Sequence, residues 1–189
     1  GLFANGEVSH DWYDGAPVAT GIRQDNSAAT LSAGVRANWR DVLVGEASVG
    51  YSLRRFDDPS IASLAATVFG LDLSYTPNNA FSASAGFSTT LTPQDVGAGR
   101  AASVDYAASL DLGLRLAPWV GLRASAAGAW AVPVSGPNIR TTYSGGAGMD
   151  FAINRNVAVN ADYLFTWTQP LPSPAEYAHA ATIGITVSR

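Results

Sequence analysis

The chain has 189 residues, of which 47% are hydrophobic, 10% are aromatic and only 14% are charged, whereas soluble domains carry about 25% charged residues. Its basic residues are all arginine and its formal net charge is -4, which excludes electrostatic binding to nucleic acid. It has no cysteine and no run of about 18 apolar residues, which excludes thiol chemistry, disulfides and a transmembrane helix.

Alternation of apolar residues with small or polar ones predicts ten β-strands, because successive side chains of a strand point to opposite faces. In chain order, the alternation is clear over residues 81–91, strongest over 102–116 and clear again over 157–167. One face of each strand is therefore apolar, and the other is small, polar or charged.

Short and long connections alternate between these strands. Short turns are predicted at Arg40–Asp41, 77–79, Ala117–Pro118 and 154–156, which hold the residue types that tight turns require. Longer connections are predicted at 14–27, 54–63, 92–101, 132–139 and 169–177. Because every second connection is long, all the long ones lie at one end of the sheet. The chain is predicted to be an up-and-down meander that forms a single domain, residues 1–189.

The face opposite the apolar one decides between a soluble barrel and a membrane barrel. A soluble barrel would need a solvated exterior rich in Lys and Glu, but here that face is mostly Gly, Ser, Ala and Thr. The apolar face is therefore expected to point outward into lipid. Closure is expected, because an open sheet edge in hydrocarbon leaves backbone groups unpaired. The fold class predicted is all-β: a transmembrane up-and-down antiparallel β-barrel of about ten strands, with both termini on one side.

Large aromatic residues of the apolar face are predicted to mark two membrane interfaces. They lie at Trp39, Tyr75, Phe81, Trp119 and Phe151 beside the short turns, and at Trp12, Tyr51, Tyr106, Trp130, Tyr143 and Trp167 toward the long connections. From Tyr143 to Phe151 a tilted strand spans roughly 20 Å, close to the apolar band of about 25 Å in outer-membrane barrels.

The charged residues of the opposite face are predicted to form a network in the lumen. Its members are Arg36, Glu46, Asp72, Asp105, Asp111, Arg115, Arg123, Asp150 and Asp162. If Trp39 pairs with Leu43, Arg36 lies opposite or nearly opposite Glu46, and Asp111 lies directly or diagonally opposite Arg123. The acids at 72, 111 and 150 recur every 39 residues, with arginines 36, 115 and 123 as their expected partners. Two interpretations stay open: a structural network that fixes the register, or a charged constriction that selects solutes.

The residues that line the predicted lumen are small. The inward positions of the fifth strand are Ser, Gly or Thr, and the eighth strand presents Thr142, Ser144, Gly146 and Gly148. A barrel of ten strands is intermediate between one filled by side chains and one with a wide channel. The prediction is a narrow, partly hydrated lumen.

The two histidines were weighed as catalytic or metal-binding groups. In a closed barrel the first and last strands are neighbours, which would bring His10, Asp11, Glu176 and His179 into one region. Alternation, however, places both histidines on the apolar face, so that they are expected to act as polar anchors at the interface. The chain also lacks Gly-x-Ser-x-Gly, His-Glu-x-x-His and phosphate-loop motifs. We predict no enzyme activity, no metal and no cofactor.

Three motifs point to a known family: VSHDWYDG at 8–15, GYSLRRFDD at 50–58 and the Asn-Arg-Asn turn at 154–156. With them the chain resembles bacterial outer-membrane β-barrel proteins over essentially its whole length, and most of all the β-barrel porin families of alphaproteobacteria. The last strand, Thr182–Arg189, resembles the signal by which such barrels are inserted, although it ends in Arg189 where an aromatic residue is usual.

The resemblance implies a location and a set of partners. The location is the outer membrane of a Gram-negative bacterium, with periplasmic termini and extracellular long loops. The expected partners are the lipid bilayer and lipopolysaccharide, the barrel-insertion machinery acting on Thr182–Arg189, and a protein partner in the membrane.

Three functions follow from this fold. The first is a narrow passive channel, like a porin, for small polar solutes or ions. The second is a non-conducting barrel that stabilises the envelope, assists assembly or docks a partner. An enzyme at the rim is the third and the least favoured.

Overall fold

Ten β-strands account for almost all of the described chain. The computed structural model describes residues 1–12, 25–58, 63–93, 102–133, 140–170 and 173–187. The strands are β1 (Leu2–Asp11), β2 (Asn26–Trp39), β3 (Leu43–Phe56), β4 (Leu64–Asn78), β5 (Phe81–Pro93), β6 (Ala102–Ala117), β7 (Val120–Pro133), β8 (Arg140–Asn154), β9 (Val157–Pro170) and β10 (Glu176–Val187). The described ranges contain no helix that could cross a bilayer.

The strands form one antiparallel sheet in chain order, β1 to β10. The ten-stranded up-and-down arrangement predicted from the alternation is therefore confirmed. Short turns join the strands at one end, which we call the turn end, and the longer connections lie at the other, the loop end. The registers follow the short turns, so that Trp39 pairs with Leu43 and Arg36 with Glu46.

Four of the five longer connections are shorter than the sequence predicts, because the strands continue into them, whereas the connection between β1 and β2 has the predicted length and begins two residues earlier. Proline ends three of these strands, at Pro93, Pro133 and Pro170. These prolines fall within the predicted longer connections, but the fixed φ of proline is compatible with extended backbone, and at the end of a strand few ladder hydrogen bonds are lost.

The first short turn has an unusual backbone. Arg40 and Asp41 have φ of 54° and 57°, and they are the only residues other than glycine with positive φ in the described ranges. Two positive φ values in succession match the twist of an antiparallel hairpin. The side chain of Asn38 braces this turn: its Oδ1 accepts from the Asp41 N–H at 2.9 Å, and its Nδ2 donates to the Asp41 carboxylate at 2.7 Å.

The two faces of the sheet differ in polarity, as predicted. On β2, the side chains on the same side as Arg36, such as Thr30 and Ser32, belong to what we call the polar face. Those on the same side as Leu31 belong to the apolar face, and the register extends both faces to the other strands. Large hydrophobic residues of the apolar face, including Leu112 and Leu114, are exposed from one edge of the sheet to the other. Among the described residues only two hydrophobic side chains are fully buried, so no second layer of protein covers the apolar face.

The sheet does not close into a barrel in this structure, which differs from the expectation. β1 and β10 lie at opposite edges of the sheet and are not paired with each other, and Leu2, Val8, Ile183 and Ile185 on these strands are widely exposed. Alternation determines which face a side chain occupies, but it does not determine how strongly the sheet curves. The expected neighbourhood of the first and last strands is therefore wrong for this structure.

Replacing Arg40 by Asn should stabilise the first turn. Arginine with positive φ costs roughly 1–2 kcal/mol, whereas asparagine tolerates this backbone conformation well. We expect Arg40→Asn to raise the free energy of unfolding by about 0.5–1 kcal/mol in urea titrations of detergent-folded protein. Arg155→Asn is the matched control, because φ of Arg155 is not positive. An equal gain from both variants would contradict the backbone explanation.

Candidate functional site

A groove runs along the polar face of the described strands. Its main cavity has a volume of about 550 Å³ and is lined by residues from β4 to β9. The lining is mainly small and hydroxylated, with serines at 74, 82, 84 and 125 and glycines at 146 and 148. Because one cavity touches six successive strands, the polar face is the concave side of a curved sheet.

A row of charges crosses the groove near β2, β3 and β4. Arg36 donates from Nε to Glu46 Oε2 at 2.7 Å, and its Nη2 also contacts that oxygen. Glu46 pairs in register with Asp72 on the next strand. A second cavity of about 400 Å³ contains all three side chains. Two carboxylates and one arginine lie in this row, and the arginine binds only Glu46, so the row carries excess negative charge.

Arg123 connects three strands at the other side of the groove. Its Nε lies 3.0 Å from Asp150 Oδ2, and its Nη2 lies 2.9 Å from Asp162 Oδ1. Asn160 holds the second carboxylate by donating to Asp162 Oδ2 at 3.2 Å. Arg123 lies on β7, Asp150 on β8 and Asp162 on β9, so one guanidinium links neighbouring strands across the polar face.

Gly148 makes the contact between Arg123 and Asp162 possible. It is the register partner of both residues. A Cβ atom at this position would overlap Asp162 Oδ1 and would lie 3.3 Å from Arg123 Nη2. A side chain here would have to displace the ion pair. Glycine therefore allows the side chains of Arg123 and Asp162 to lie close to the backbone of β8.

The 39-residue repeat of acids identifies their partners only in part. Asp150 does bind Arg123, but Arg36 binds Glu46 in place of Asp72. Asp111 pairs in register with Ser125, two residues from Arg123 on β7. In the part of the chain that the structure describes, Asp72, Asp111 and Arg115 make no ion pair. Equal spacing along the chain places the three acids at a similar level along their strands. It does not determine which arginine lies beside each acid, because each strand is staggered relative to its neighbour.

The remaining predicted acid, Asp105, has a local role. Ser103 donates to Asp105 Oδ1 at 2.7 Å from the same strand. Ser103 itself is fully buried. Asp105 thus lies on the polar face near the loop end, away from the ion pairs of Arg36 and Arg123.

Sequence reasoning missed an ion pair at the loop end. Arg54 Nη1 donates to Asp11 Oδ2 at 2.9 Å and to the side-chain oxygen of Asn26. Arg54 is only 12% exposed, and its contacts join the edge strand β1 to β2 and β3. The alternation of the sequence could have indicated this ion pair, because Asp11, Asn26 and Arg54 all occupy polar-face positions. Arg54 lies two residues after Ser52 on the same face, as Arg36 lies two residues after Gly34.

Comparison with known families decides the membership of this chain. A family model described as "Putative beta-barrel porin 2" matches residues 1–189. The chain belongs to this β-barrel porin family. No curated protein matches it. Membership confirms the resemblance noted from the motifs and indicates an outer-membrane location, and the family is a porin family and not an enzyme family.

Five of the predicted interface aromatic residues lie near the turn end of the sheet. Near the turn end, the rings of Trp119 and Phe151 pack edge to face with centroids 5.2 Å apart, and Tyr75 and Phe81 lie 6.2 Å apart. Trp39 lies at the same end, in register with Leu43 and next to Tyr75. These large rings are available to the interface at one end of the strands.

The aromatic residues toward the loop end are more closely clustered. Tyr143 packs against Trp130 at 5.7 Å and stacks on Trp167 at 5.5 Å between ring centroids. The indole N–H of Trp130 donates to the Tyr143 hydroxyl at 2.9 Å. The other predicted interface residues on this side are Trp12, Tyr51 and Tyr106, of which Trp12 contacts His10 and Tyr106 contacts Phe87.

The two histidines do not form a site. His10 Nδ1 lies 2.8 Å from Ser27 Oγ, and His179 Nδ1 lies 2.7 Å from the Tyr163 hydroxyl. Because β1 and β10 are opposite edges of the sheet, the expected grouping of these histidines with Asp11 and Glu176 is wrong. Within the described ranges no cluster of His, Asp or Glu could hold a metal ion.

The role of Gly148 can be tested by a single methyl group. Gly148→Ala should separate Arg123 from Asp162 and lower the free energy of unfolding by about 1 kcal/mol, since the pair is half exposed. Urea titration measures this loss. In an Asp162→Ala background the same substitution should cost less, because the overlapping carboxylate is absent.

Gly145→Ala is the matched control on the same strand. A Cβ atom at Gly145 would meet nothing closer than the Ser125 carbonyl oxygen at 3.9 Å. This variant should unfold as the unaltered protein does. If Gly145→Ala and Gly148→Ala were equally destabilising, loss of glycine itself would be the cause and the ion pair would be irrelevant.

Proposed function

We propose that this protein is a narrow passive channel for small polar solutes or ions in the outer membrane of a Gram-negative bacterium. The observation that carries the proposal is the groove on the polar face, about 550 Å³ in volume and lined mainly by serine, glycine and charged side chains. A barrel that served only as an anchor would be expected to fill this space with large side chains. Membership of the porin family supports the same conclusion.

The charge of the polar face favours cations. Its strand residues include the acids Glu7, Asp11, Glu46, Asp72, Asp105, Asp111, Asp150, Asp162 and Glu176, against the arginines 36, 54, 115, 123 and 140. Acids outnumber arginines, and Asp72 and Asp111 have no cationic partner among the described residues. Rings of carboxylates in a lumen attract cations and repel anions.

The proposed orientation places both termini in the periplasm and the longer connections outside the cell. Short turns on the periplasmic side and longer loops on the extracellular side are the rule for outer-membrane barrels. In the membrane the outer edges of β1 and β10 would need partner strands, because each unpaired backbone group in hydrocarbon costs several kcal/mol.

The exterior and the last strand suggest the partners. The exposed apolar face, with Leu112, Leu114 and Ile185, would contact lipid and lipopolysaccharide. The insertion machinery would act on β10 and the end of the chain, of which Ser188 and Arg189 lie outside the described residues. Further protein partners in the membrane would meet the same exterior.

Conductance of the purified protein in planar lipid bilayers tests the proposal. We expect discrete current steps in KCl that grow with salt concentration, and a reversal potential in a KCl gradient that indicates preference for K⁺ over Cl⁻. Absence of steps above leak from folded protein would contradict a channel, and would leave the non-conducting structural or docking barrel as the function.

Neutralising the unpaired acids should lower this preference. Asp72→Asn together with Asp111→Asn should reduce the K⁺/Cl⁻ permeability ratio by at least about twofold, because two fixed charges leave the lumen. Asp41→Asn is the control, since Asp41 lies in a turn and bonds Asn38 outside the groove. An unchanged ratio in the double variant, or an equal change in the control, would show that these lumen carboxylates do not select ions.

A further inference from the structure

The polarity of the inner face changes along β4. In its second half the polar-face positions are Gly70, Asp72 and Ser74, whereas in its first half they are Leu64, Ala66 and Val68. On β3 the last polar-face position is the apolar Phe56, although Ser52 and Arg54 before it are polar. An apolar patch therefore lies on the concave side of the sheet, where the rest of the lining is polar.

The end of β5 covers this patch. Pairing between β4 and β5 runs from the turn end only as far as Gly70 with Ser88, although both strands continue beyond that pair. Beyond it, Leu91 of β5 packs against Leu64 of β4, and these side chains are only 5% and 6% exposed.

This contact joins opposite faces of the sheet. Leu91 follows Ala85 and Phe87 on the apolar face of β5, but Leu64 lies on the polar face of β4. Val104 of β6, in register with Leu91, joins the cluster together with Phe56 and Ala66. The two leucines can touch only if the loop ends of β5 and β6 pass in front of the inner side of β3 and β4.

The contact lies directly beyond the polar groove. A cavity of about 380 Å³ holds Asp72 and extends to Gly70, Gly86 and Ser88, where the pairing of β4 with β5 stops. Beyond this level the wall of the groove changes from glycine and serine to leucine. An apolar constriction in an aqueous path obstructs ions and polar solutes, because water leaves it readily.

We propose that the contact of Leu64 with Leu91 is a hydrophobic constriction at the loop end of the channel, which limits the passage of polar solutes and ions. This inference rests on the proposed channel function. The carboxylates deeper in the groove would select by charge, whereas the two leucines would set the size and hydration of what passes.

Serine substitutions test the constriction. Leu91→Ser and Leu64→Ser remove apolar surface from the proposed constriction and should each raise single-channel conductance at least about twofold. Val68→Ser is the matched control, because Val68 lies on the same face of β4 outside the cluster, and it should leave conductance unchanged. A channel of unchanged conductance in both leucine variants would overturn the constriction while leaving the channel function in place.

Cross-linking provides a second test that does not depend on conductance of the serine variants. The chain has no cysteine, so the double variant Leu64→Cys/Leu91→Cys carries the only thiols. A short bifunctional methanethiosulfonate reagent should join them within one molecule in lipid vesicles, as mass spectrometry would show. Cross-linking should lower conductance several-fold, and a reductant should restore it. Each single cysteine variant treated in the same way is the control.

The outcomes separate the constriction from the channel. Failure of the two thiols to cross-link in folded protein, or cross-linking with no effect on a conducting channel, would overturn the constriction alone. A larger single-channel conductance in Leu64→Ser/Leu91→Ser than in the unaltered protein would support the constriction. No current from either protein would overturn the channel, and the constriction with it.

Discussion

No layer of protein covers the apolar face in the part of the chain that the structure describes, and the rest of the structure depends on this constraint. Strands with one apolar face normally bury it against a second sheet or against helices. Here large hydrophobic side chains of that face stay exposed on nine of the ten strands, β5 being the exception, and Ile185 is 69% exposed. In water such a surface would aggregate, but in lipid it is the favoured exterior. The polar face is then left to line the interior.

The interior combines rigid charge pairs with free carboxylates. Arg123 spans three strands through Asp150 and Asp162, and Arg36 joins β2 to β3 through Glu46. These pairs link neighbouring strands where the small lining residues provide little packing. Asp72 and Asp111, which have no ion-pair partner within the described ranges, give the groove its negative character. The same face can therefore contribute to strand register and to selectivity through different residues, so the two interpretations of the charged residues are compatible.

Much of this arrangement could be predicted from the sequence because a strand has a period of exactly two residues. Tight turns give the registers: the turn at Arg40 and Asp41 brings Arg36 opposite Glu46. That Asp72 and Asp111 form no ion pair among the described residues could not be predicted in this way, since it depends on stagger summed over several strands. Arg54 was missed because residues 14–27 and 54–63 are predicted to be connections, and because Asp11 lies on β1, across a longer connection whose length sets no register. The strand pattern around Gly148 predicts either close approach of the backbone or space in the lumen, and the ion pair of Arg123 with Asp162 gives the more specific explanation.

The sequence by itself determined the number of strands, their up-and-down order, the positions of the short turns and the face that each side chain occupies. These are local properties, which follow from alternation and from turn residues within one hairpin. Only the tertiary structure decided that the first and last strands remain apart, that Arg123 serves two acids, and that Leu91 crosses to the inner side of β4. Each of these depends on the curvature and stagger of the whole sheet, which are collective properties that no single strand encodes.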